Sequence, residues 1–297
     1  MTGRKPAAGL VDLSLFAITF VWGSTFVLVK QALSDASTLL FLTIRFTAAT
    51  FILLIVFRKE FRAPNRWRSI RGGAIAGLFL FSGYVLQTFG LKYTSASNAG
   101  FITGLYVPLV PLISGIVFQK SPQLSEIFGV ALAFAGLVLM TVRRDVLDIG
   151  FGDMLVAACA VAYAFHIVVL GRFAASGNSG LLTVTQIGTG MLLGAGTFWW
   201  AEPIHIAWSG TLWIALAVTS ILATALAFFV QTWAQRWISP TRTALISSME
   251  PVFAWATSYV LAGEVLSRRG TLGAGLILAG ILVVELKPFP RRPFSSV

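Results

Sequence analysis

Two charged residues interrupt long apolar stretches of this sequence and are the first candidates for chemistry. Arg45 lies within the apolar segment 38–57, and Glu250 lies within the segment 242–262. A charge inside a bilayer helix costs several kcal/mol, so a residue of this kind is by default a functional candidate. The structural alternative for both is that they fix packing by bonding to backbone or to a neighbouring helix. If Glu250 exchanges a proton, it could couple proton movement to transport.

Uncharged polar side chains form a second group of candidates. Gln87 and Gln231 could bind a zwitterion through their amides, or they could hydrogen-bond between helices, a contact worth about 0.6 kcal/mol. His166 lies inside an apolar segment, where an imidazole could bond a carboxylate or take up a proton near neutral pH. A buried histidine that is satisfied locally is the alternative. His205, beside Glu202, is expected on the surface.

Aromatic and proline residues complete the candidate set. Prolines free backbone carbonyls inside helices, and we interpret Pro108 and Pro251 as hinges. Aromatic residues could stack on an apolar or cationic ligand, with helix packing as the alternative. The aromatic candidates are Trp22, Tyr84, Tyr106, Tyr163 and Trp233.

The elements that must position these residues are membrane helices. Hydrophobic residues make up 57% of the 297 residues and charged ones only 11%, far from a water-soluble composition. A bilayer core of about 30 Å takes roughly 20 helical residues. The sequence predicts an all-α membrane protein with ten such helices. They cover 11–31, 38–57, 72–91, 97–118, 125–142, 153–171, 180–200, 211–234, 242–262 and 270–286.

The distribution of Lys and Arg predicts the orientation of these helices. Fifteen of the twenty-two basic residues fall on the side of the N-terminus and six on the other, with Arg45 remaining. The positive-inside rule therefore predicts that both termini of this multi-pass protein are in the cytoplasm. The expected location is the plasma membrane, which in bacteria is the inner membrane. The net charge of +11 comes from short connectors rather than one helical face, which favours a lipid surface over nucleic acid.

An internal repeat divides the chain. A shift of 144 residues places Gln87-Thr88 on Gln231-Thr232, Ser95 on Ser239, Gly129 on Gly273 and Ala135-Gly136 on Ala279-Gly280, and Pro108 meets Pro251 at a shift of 143. Two five-helix repeats, 1–145 and 146–297, follow from this match. Because five is odd, the repeats must cross the membrane in opposite directions, an arrangement that many secondary transporters use.

These residues resemble the drug/metabolite transporter superfamily and in particular its ten-helix EamA-type members. The matching pieces are Trp22-Gly23-Ser24-Thr25-Phe26, Arg45-Phe46, Tyr93-Thr94-Ser95-Ala96, Glu250-Pro251, Gly263-Glu264 and Leu278-Ala279-Gly280. The resemblance implies an exporter with a central cavity between two inverted repeats. The chain is similar to the amino acid exporters of the YddG kind. This similarity implies that its substrates are amino acids, aromatic ones included, or similar metabolites.

Other function classes fit the sequence less well. No Gly-Lys pair is present, so the chain carries no Walker A loop. Two histidines and one cysteine make a metal site or a catalytic triad difficult to assemble, and we expect neither enzymatic activity nor a cofactor. Efflux of drugs or other metabolites is the alternative substrate class. A membrane subunit that has no transport activity of its own is the alternative from a different class.

Overall fold

A computed structural model describes residues 6–62, 66–117, 124–141, 150–175 and 177–286. Within them the regular structure is helical, apart from one antiparallel bridge between Ala36 and Ile206. The α-helices are α1 (Ala8–Ala32), α2 (Thr38–Phe57), α3 (Arg66–Tyr93), α4 (Ala96–Thr103), α5 (Tyr106–Val117), α6 (Leu124–Thr141), α7 (Phe151–Ala174), α8 (Ser179–Thr197), α9 (Gly210–Ser220), α10 (Ala227–Ala234), α11 (Pro240–Ser247), α12 (Glu250–Ala262) and α13 (Arg268–Leu286).

The predicted segments coincide with these helices within a few residues, but several differ internally. The fourth segment is divided into α4 and α5 at Gly104, and the ninth into α11 and α12 at Ser248. A π-helix, Ile221–Leu226, joins α9 to α10, and a 3-10 helix, Arg58–Arg62, follows α2. The predicted end residues 118 and 142, the domain boundary at 145/146 and both chain termini lie outside the described residues.

Six helical stretches of the described chain are long and apolar enough to cross a bilayer. They are Gly9–Ala32, Thr38–Arg62, Arg66–Tyr93, Ala96–Val117, Phe151–Ala174 and Gly210–Ala234. The other predicted segments are helical too, and α8 among them carries Thr183, Thr185 and Gln186, which lower its mean hydropathy.

Hydrogen bonds cap equivalent helices in the two halves of the chain. Ser95 Oγ accepts the backbone N–H of Asn98 at the start of α4, and Ser239 Oγ accepts that of Arg242 at the start of α11. A serine in this position satisfies a backbone donor that has no partner within the helix. The two serines are 144 residues apart, which is the shift of the match between the two parts of the sequence.

One end of the helix bundle gathers the connectors before α2, α4 and α9. The backbone N–H of Ser37 donates to His205 O, and that of Ala207 donates to Asp35 O. Lys92 Nζ lies 2.5 Å from Glu202 Oε1. Burial opposes ionisation of Glu202, but hydrogen bonds from Lys92 and the N-terminus of α2 outweigh it and lower the pKa of this carboxyl.

The opposite end of the bundle gathers the connectors after α2 and α7. Asn178 donates its side-chain amide to Glu60, and its backbone N–H donates to Ser69 Oγ. Arg242 at the start of α11 pairs with Asp12 of α1 at 2.7 Å. The connectors therefore sort into two groups, one at each end of the bundle.

Helices of the two halves pack pairwise against each other, α2 on α8, α3 on α7 and α6 on α13. Glycines permit the closest approach between α6 and α13. A Cβ atom at Gly136 would lie 2.5 Å from Gly273 O, and one at Gly280 would lie 2.5 Å from Gly129 O. The two contacts are reciprocal, and the touching residue numbers rise on one helix as they fall on the other. The α6 and α13 pair is therefore antiparallel and nearly two-fold symmetric.

This contact provides a test of the packing. Gly280→Ala places a methyl group against the backbone of α6, whereas Gly275→Ala on the same helix meets nothing within 4 Å. Forcing a methyl into a filled contact costs about 1–3 kcal/mol. We expect Gly280→Ala to lower the melting temperature of the detergent-purified protein and Gly275→Ala to leave it unchanged or slightly higher. Equal melting temperatures of the two variants would contradict the packing.

Candidate functional site

A cavity lies between the helices at the level of Arg45 and Glu250, and the space between its walls is about 640 Å³, its opening included. Helices α1, α2, α3, α5, α7, α10 and α12 supply its walls, so both halves of the chain contribute. The lining residues are Trp22, Thr25, Phe26, Val29, Arg45, Leu80, Tyr84, Gln87, Thr88, Leu91, Tyr106, Tyr163, His166, Ile167, Phe228, Gln231 and Glu250.

The structure brings most of the sequence candidates together around this cavity. Trp22, Tyr84, Gln87, Tyr106, Tyr163, His166, Gln231, Arg45 and Glu250 all line it. Trp233 does not. It packs on a separate apolar cluster that includes Val11 and Leu15 of α1. Pro108 and Pro251 lie outside the lining, two and one residues after the starts of α5 and α12.

Arg45 is a buried cation whose side chain is held by two neighbouring elements. Its exposed fraction is 3%. Its Nε donates to Thr224 Oγ1 at 2.7 Å and Nη2 donates to Tyr84 Oη at 2.9 Å. The guanidinium carbon lies 4.4 Å from the centre of the Tyr84 ring. Among the described residues no carboxylate lies within 4.0 Å of this guanidinium, so its charge faces the cavity without a protein counter-ion.

The π-helix between α9 and α10 shapes the same part of the cavity. It carries Thr224, the partner of Arg45, and Ala223, whose carbonyl accepts the indole N–H of Trp22 at 2.9 Å. A π-helix widens the turn and disrupts the regular hydrogen-bond pattern, which is why such segments often occur at functional sites. The irregular segment thus fixes one cationic and one aromatic side chain of the lining.

Glu250 is held at the start of α12 by a tyrosine from the other half of the chain. Tyr106 Oη donates to Glu250 Oε2 at 3.0 Å and approaches Ser247 O at 3.4 Å. Pro251 has no N–H to pair with Ser247 O, which lies four residues earlier, so this carbonyl can accept from Tyr106. Tyr106 and Glu250 are 144 residues apart and start α5 and α12 respectively.

His166 belongs to a buried chain of hydrogen bonds that fixes its tautomer. Thr232 Oγ1 donates to Phe228 O at 2.6 Å and therefore accepts from Gln186 Nε2 at 2.9 Å. The carbonyl oxygen of Gln186 then faces His166 Nε2 at 2.8 Å, so Nε2 carries a hydrogen. In the neutral imidazole, Nδ1 is consequently an acceptor.

Gln87 connects two walls of the cavity. Its oxygen accepts from Tyr163 Oη at 3.2 Å, and its amide nitrogen donates to Thr103 Oγ1 at 3.1 Å. Gln87→Ala removes both bonds without changing the charge. If this side chain contacts substrate, we expect the variant to insert normally and to lose transport roughly 5-fold, the effect of about one hydrogen bond. Wild-type flux would leave Gln87 with a packing role alone.

Several residues in or next to the cavity lining were not identified from the sequence. Phe228 lines the cavity three residues before Gln231, a spacing that places both on one helix face and could have identified it. Thr224 and Gln186 act through tertiary contacts that leave no local pattern. Within the described part of the chain, no three His, Cys, Asp or Glu side chains come together as a metal site.

Comparisons with known proteins give a consistent result. The model of the EamA-like transporter family matches residues 9–142 and again 150–286. A protein of Archaeoglobus fulgidus named an uncharacterized transporter is 33% identical over 276 residues, covering 93% of this chain and 86% of that protein. The uncharacterized inner membrane transporter YedA of Escherichia coli K12 is 22% identical, covering 94% and 92%. A solved crystal structure with a TM-score of 0.68 and 22% identity covers 95% of this chain and 98% of its own, and it has the same fold.

Proposed function

The chain belongs to the EamA-like transporter family, and from this membership we propose that it exports amino acids, aromatic ones included, or similar small metabolites. Members of this family and the relatives above are transporters rather than enzymes. The protein is a multi-pass membrane protein, and the relationship to an inner membrane transporter supports the same location here. Its partners are a small-molecule substrate and the lipid bilayer.

The cavity is the observation that carries this proposal. It combines buried charges of both signs, amide groups and aromatic walls, which together suit a small polar molecule with an apolar part. A structural role alone would not require two ionisable side chains to face the same space, because each costs free energy to bury in a membrane. Trp22, Tyr84, Gln87, Tyr106, Tyr163, His166 and Gln231 are the proposed substrate-binding residues.

We further propose ten membrane spans in two inverted repeats, 1–145 and 146–297, with both termini in the cytoplasm. Support comes from the two consecutive family matches, the reciprocal glycine contacts of α6 and α13, and the connectors sorted to opposite ends. The breaks at Gly104 and Ser248 also lie 144 residues apart. In transporters of this architecture, the repeats expose a central site alternately to the two sides of the membrane.

The helix breaks next to the prolines are the proposed hinges of this movement. Pro108 and Pro251 each leave a carbonyl of the preceding turn without its helical partner. The short helices α4 and α11 can therefore reorient relative to α5 and α12. Glu250 starts α12 at such a break, and any coupling of transport to protons would use this carboxylate, which can be measured as flux driven by a pH gradient.

The inverted topology predicts opposite accessibility of two equivalent residues. In a Cys159→Ala background, Lys92→Cys is expected to react with a membrane-impermeant maleimide in intact cells. Arg236→Cys, its equivalent 144 residues later, is expected to react only after permeabilisation. Cys159 is the single native cysteine, so the background is free of other thiols. Labelling of both positions from one side would contradict the inverted repeat.

Export itself is tested in cells and in liposomes. An overexpressing strain is expected to resist toxic amino acid analogues, because the exporter lowers their internal concentration. Purified protein in liposomes without any partner is expected to move the corresponding labelled amino acids. Resistance to drugs but not to the analogues would favour drug efflux instead, and a lack of any flux without a partner would favour a subunit that does not transport alone.

A further inference from the structure

Arg45 and Glu250 are opposite charges in one cavity that do not pair with each other. Both are buried, with exposed fractions of 3% and 7%, and both line the space between the helices. The ion pairs of the described residues join Lys92 to Glu202 and Arg242 to Asp12, and neither involves Arg45 or Glu250. Two buried charges left more than 4.0 Å apart are each stabilised by a ligand that brings the opposite charge.

The guanidinium of Arg45 retains donors that the protein does not use. An arginine carries five N–H groups, and the bonds to Thr224 and Tyr84 occupy two of them. No further hydrogen bond from Arg45 to a described residue is present. A planar guanidinium with free N–H groups matches a carboxylate, which can accept two of them in parallel. This wall of the cavity is therefore suited to the anionic end of a ligand.

Other walls offer acceptors instead. Glu250 accepts one hydrogen bond, from Tyr106, and a carboxylate can accept about four. Gln231 is 3% exposed, and its side-chain oxygen has no hydrogen-bond partner among the described residues. The fixed tautomer of His166 adds Nδ1 as a further acceptor in its neutral form. An ammonium group brings three N–H donors and a positive charge, which are what these acceptors lack.

The rest of the cavity lining determines which substrate side chains fit. Apart from Arg45, Glu250 and the groups just named, the walls are mostly apolar or aromatic, with Phe26, Val29 and Leu91 among them. Among the lining residues no second carboxylate, no second arginine and no lysine is present to receive another charge. A substrate side chain that carries a charge would lose its hydration without compensation.

On the basis of the proposed function, we infer that the substrate is a zwitterionic amino acid with a neutral side chain. Its carboxylate binds Arg45 and its ammonium group binds Glu250. Both charges must be present on one molecule. Removing either charge from the ligand leaves one buried protein charge unpaired, and we expect an affinity loss of at least about 10-fold in each case.

The inference is tested with matched probes on the full-length protein in detergent. One set is phenylalanine, 2-phenylethylamine and 3-phenylpropionate, and another is leucine, 3-methylbutylamine and 4-methylpentanoate. Binding is followed as thermal stabilisation through the fluorescence of the nine tryptophans. At equal concentrations only the amino acid of each set is expected to stabilise the wild type clearly. An amine or an acid that binds as tightly as its amino acid would overturn the inference.

Variants assign the two charges to their residues. Arg45→Gln is expected to abolish the preference for phenylalanine over 2-phenylethylamine, and Glu250→Gln the preference for phenylalanine over 3-phenylpropionate. Arg45→Lys keeps the charge and is expected to keep the first preference, and the exposed Arg71→Gln is expected to behave as wild type. An unchanged preference in Arg45→Gln would remove Arg45 from the site. If a variant does not fold, the wild-type probe sets alone decide.

Failure of the proposed function gives a different result. Liposomes with wild-type protein would then move neither phenylalanine nor leucine nor any other amino acid, whatever their charge, and the inference would fall with it. Transport of the amino acids together with equal binding of amine or acid would overturn only the charge assignment.

Discussion

Arg45→Met is expected to leave a protein at least as stable as the wild type that transports about 100-fold more slowly. Burying an arginine without a carboxylate partner costs several kcal/mol in a membrane, and an apolar side chain of similar length avoids this cost. The same change removes the charge that we assign to substrate binding, where a charged hydrogen-bonded contact is worth about 2–3 kcal/mol. Stability and transport should therefore change independently.

Melting temperature in detergent and flux in liposomes measure the two effects of Arg45→Met. The control is Arg71→Met, an arginine of α3 that is exposed and far along the helix from Tyr84. It is expected to change neither quantity. A lower melting temperature of Arg45→Met together with normal flux of the folded fraction would show that Arg45 fixes helix packing.

His166→Ala is expected to have the second largest effect, a loss of transport of roughly 10- to 30-fold. It removes the cavity acceptor Nδ1, and it also leaves the buried carbonyl of Gln186 without its donor. An unsatisfied buried polar group costs about 1–3 kcal/mol. The loss in transport should therefore be accompanied by a lower melting temperature. This combination distinguishes His166→Ala from Arg45→Met.

The other histidine serves as the matched control. His205 has an exposed side chain in the connector before α9, so His205→Ala is expected to keep wild-type flux and stability. Gln186→Leu separates the two roles of His166, because Gln186 is buried behind the histidine and does not line the cavity. We expect it to lower transport less than His166→Ala does. Equal flux in His166→Ala and wild type would exclude a role for this imidazole in transport.

Most of the polar residues that line the cavity could be identified from the sequence, because polar and charged side chains are rare in apolar segments. A charge or an amide in an apolar helix costs free energy when it faces lipid, so it is expected to face the interior of the bundle. Arg45, Glu250, Gln87 and Gln231 all line the same cavity. Trp233 shows the limit of choosing residues by type. It follows Gln231 by two positions, about 200° around a helix, so the two side chains cannot face the same cavity.

The irregular parts of the fold could not be predicted from residue types in the sequence. The π-helix at Ile221–Leu226 has the same apolar composition as its flanks, and its contacts with Arg45 and Trp22 come from other helices. The salt bridge between Lys92 and Glu202 joins residues 110 positions apart. Contacts of this kind depend on how helices assemble, and the hydropathy of a single segment carries no information about them.

The pairing of helices across the two halves also determines when, during synthesis, each helix of the first half can pack against its partner. α2, α3 and α6 have as partners α8, α7 and α13, which leave the ribosome up to about 145 residues later. At about 5–20 residues per second, the longest of these separations corresponds to a wait of roughly 7–30 s in the bilayer. Arg45 waits longer still, because its partner Thr224 is 179 residues further along the chain. The insertion machinery or surrounding lipid must therefore shelter this guanidinium until α12, which carries Glu250, has been made.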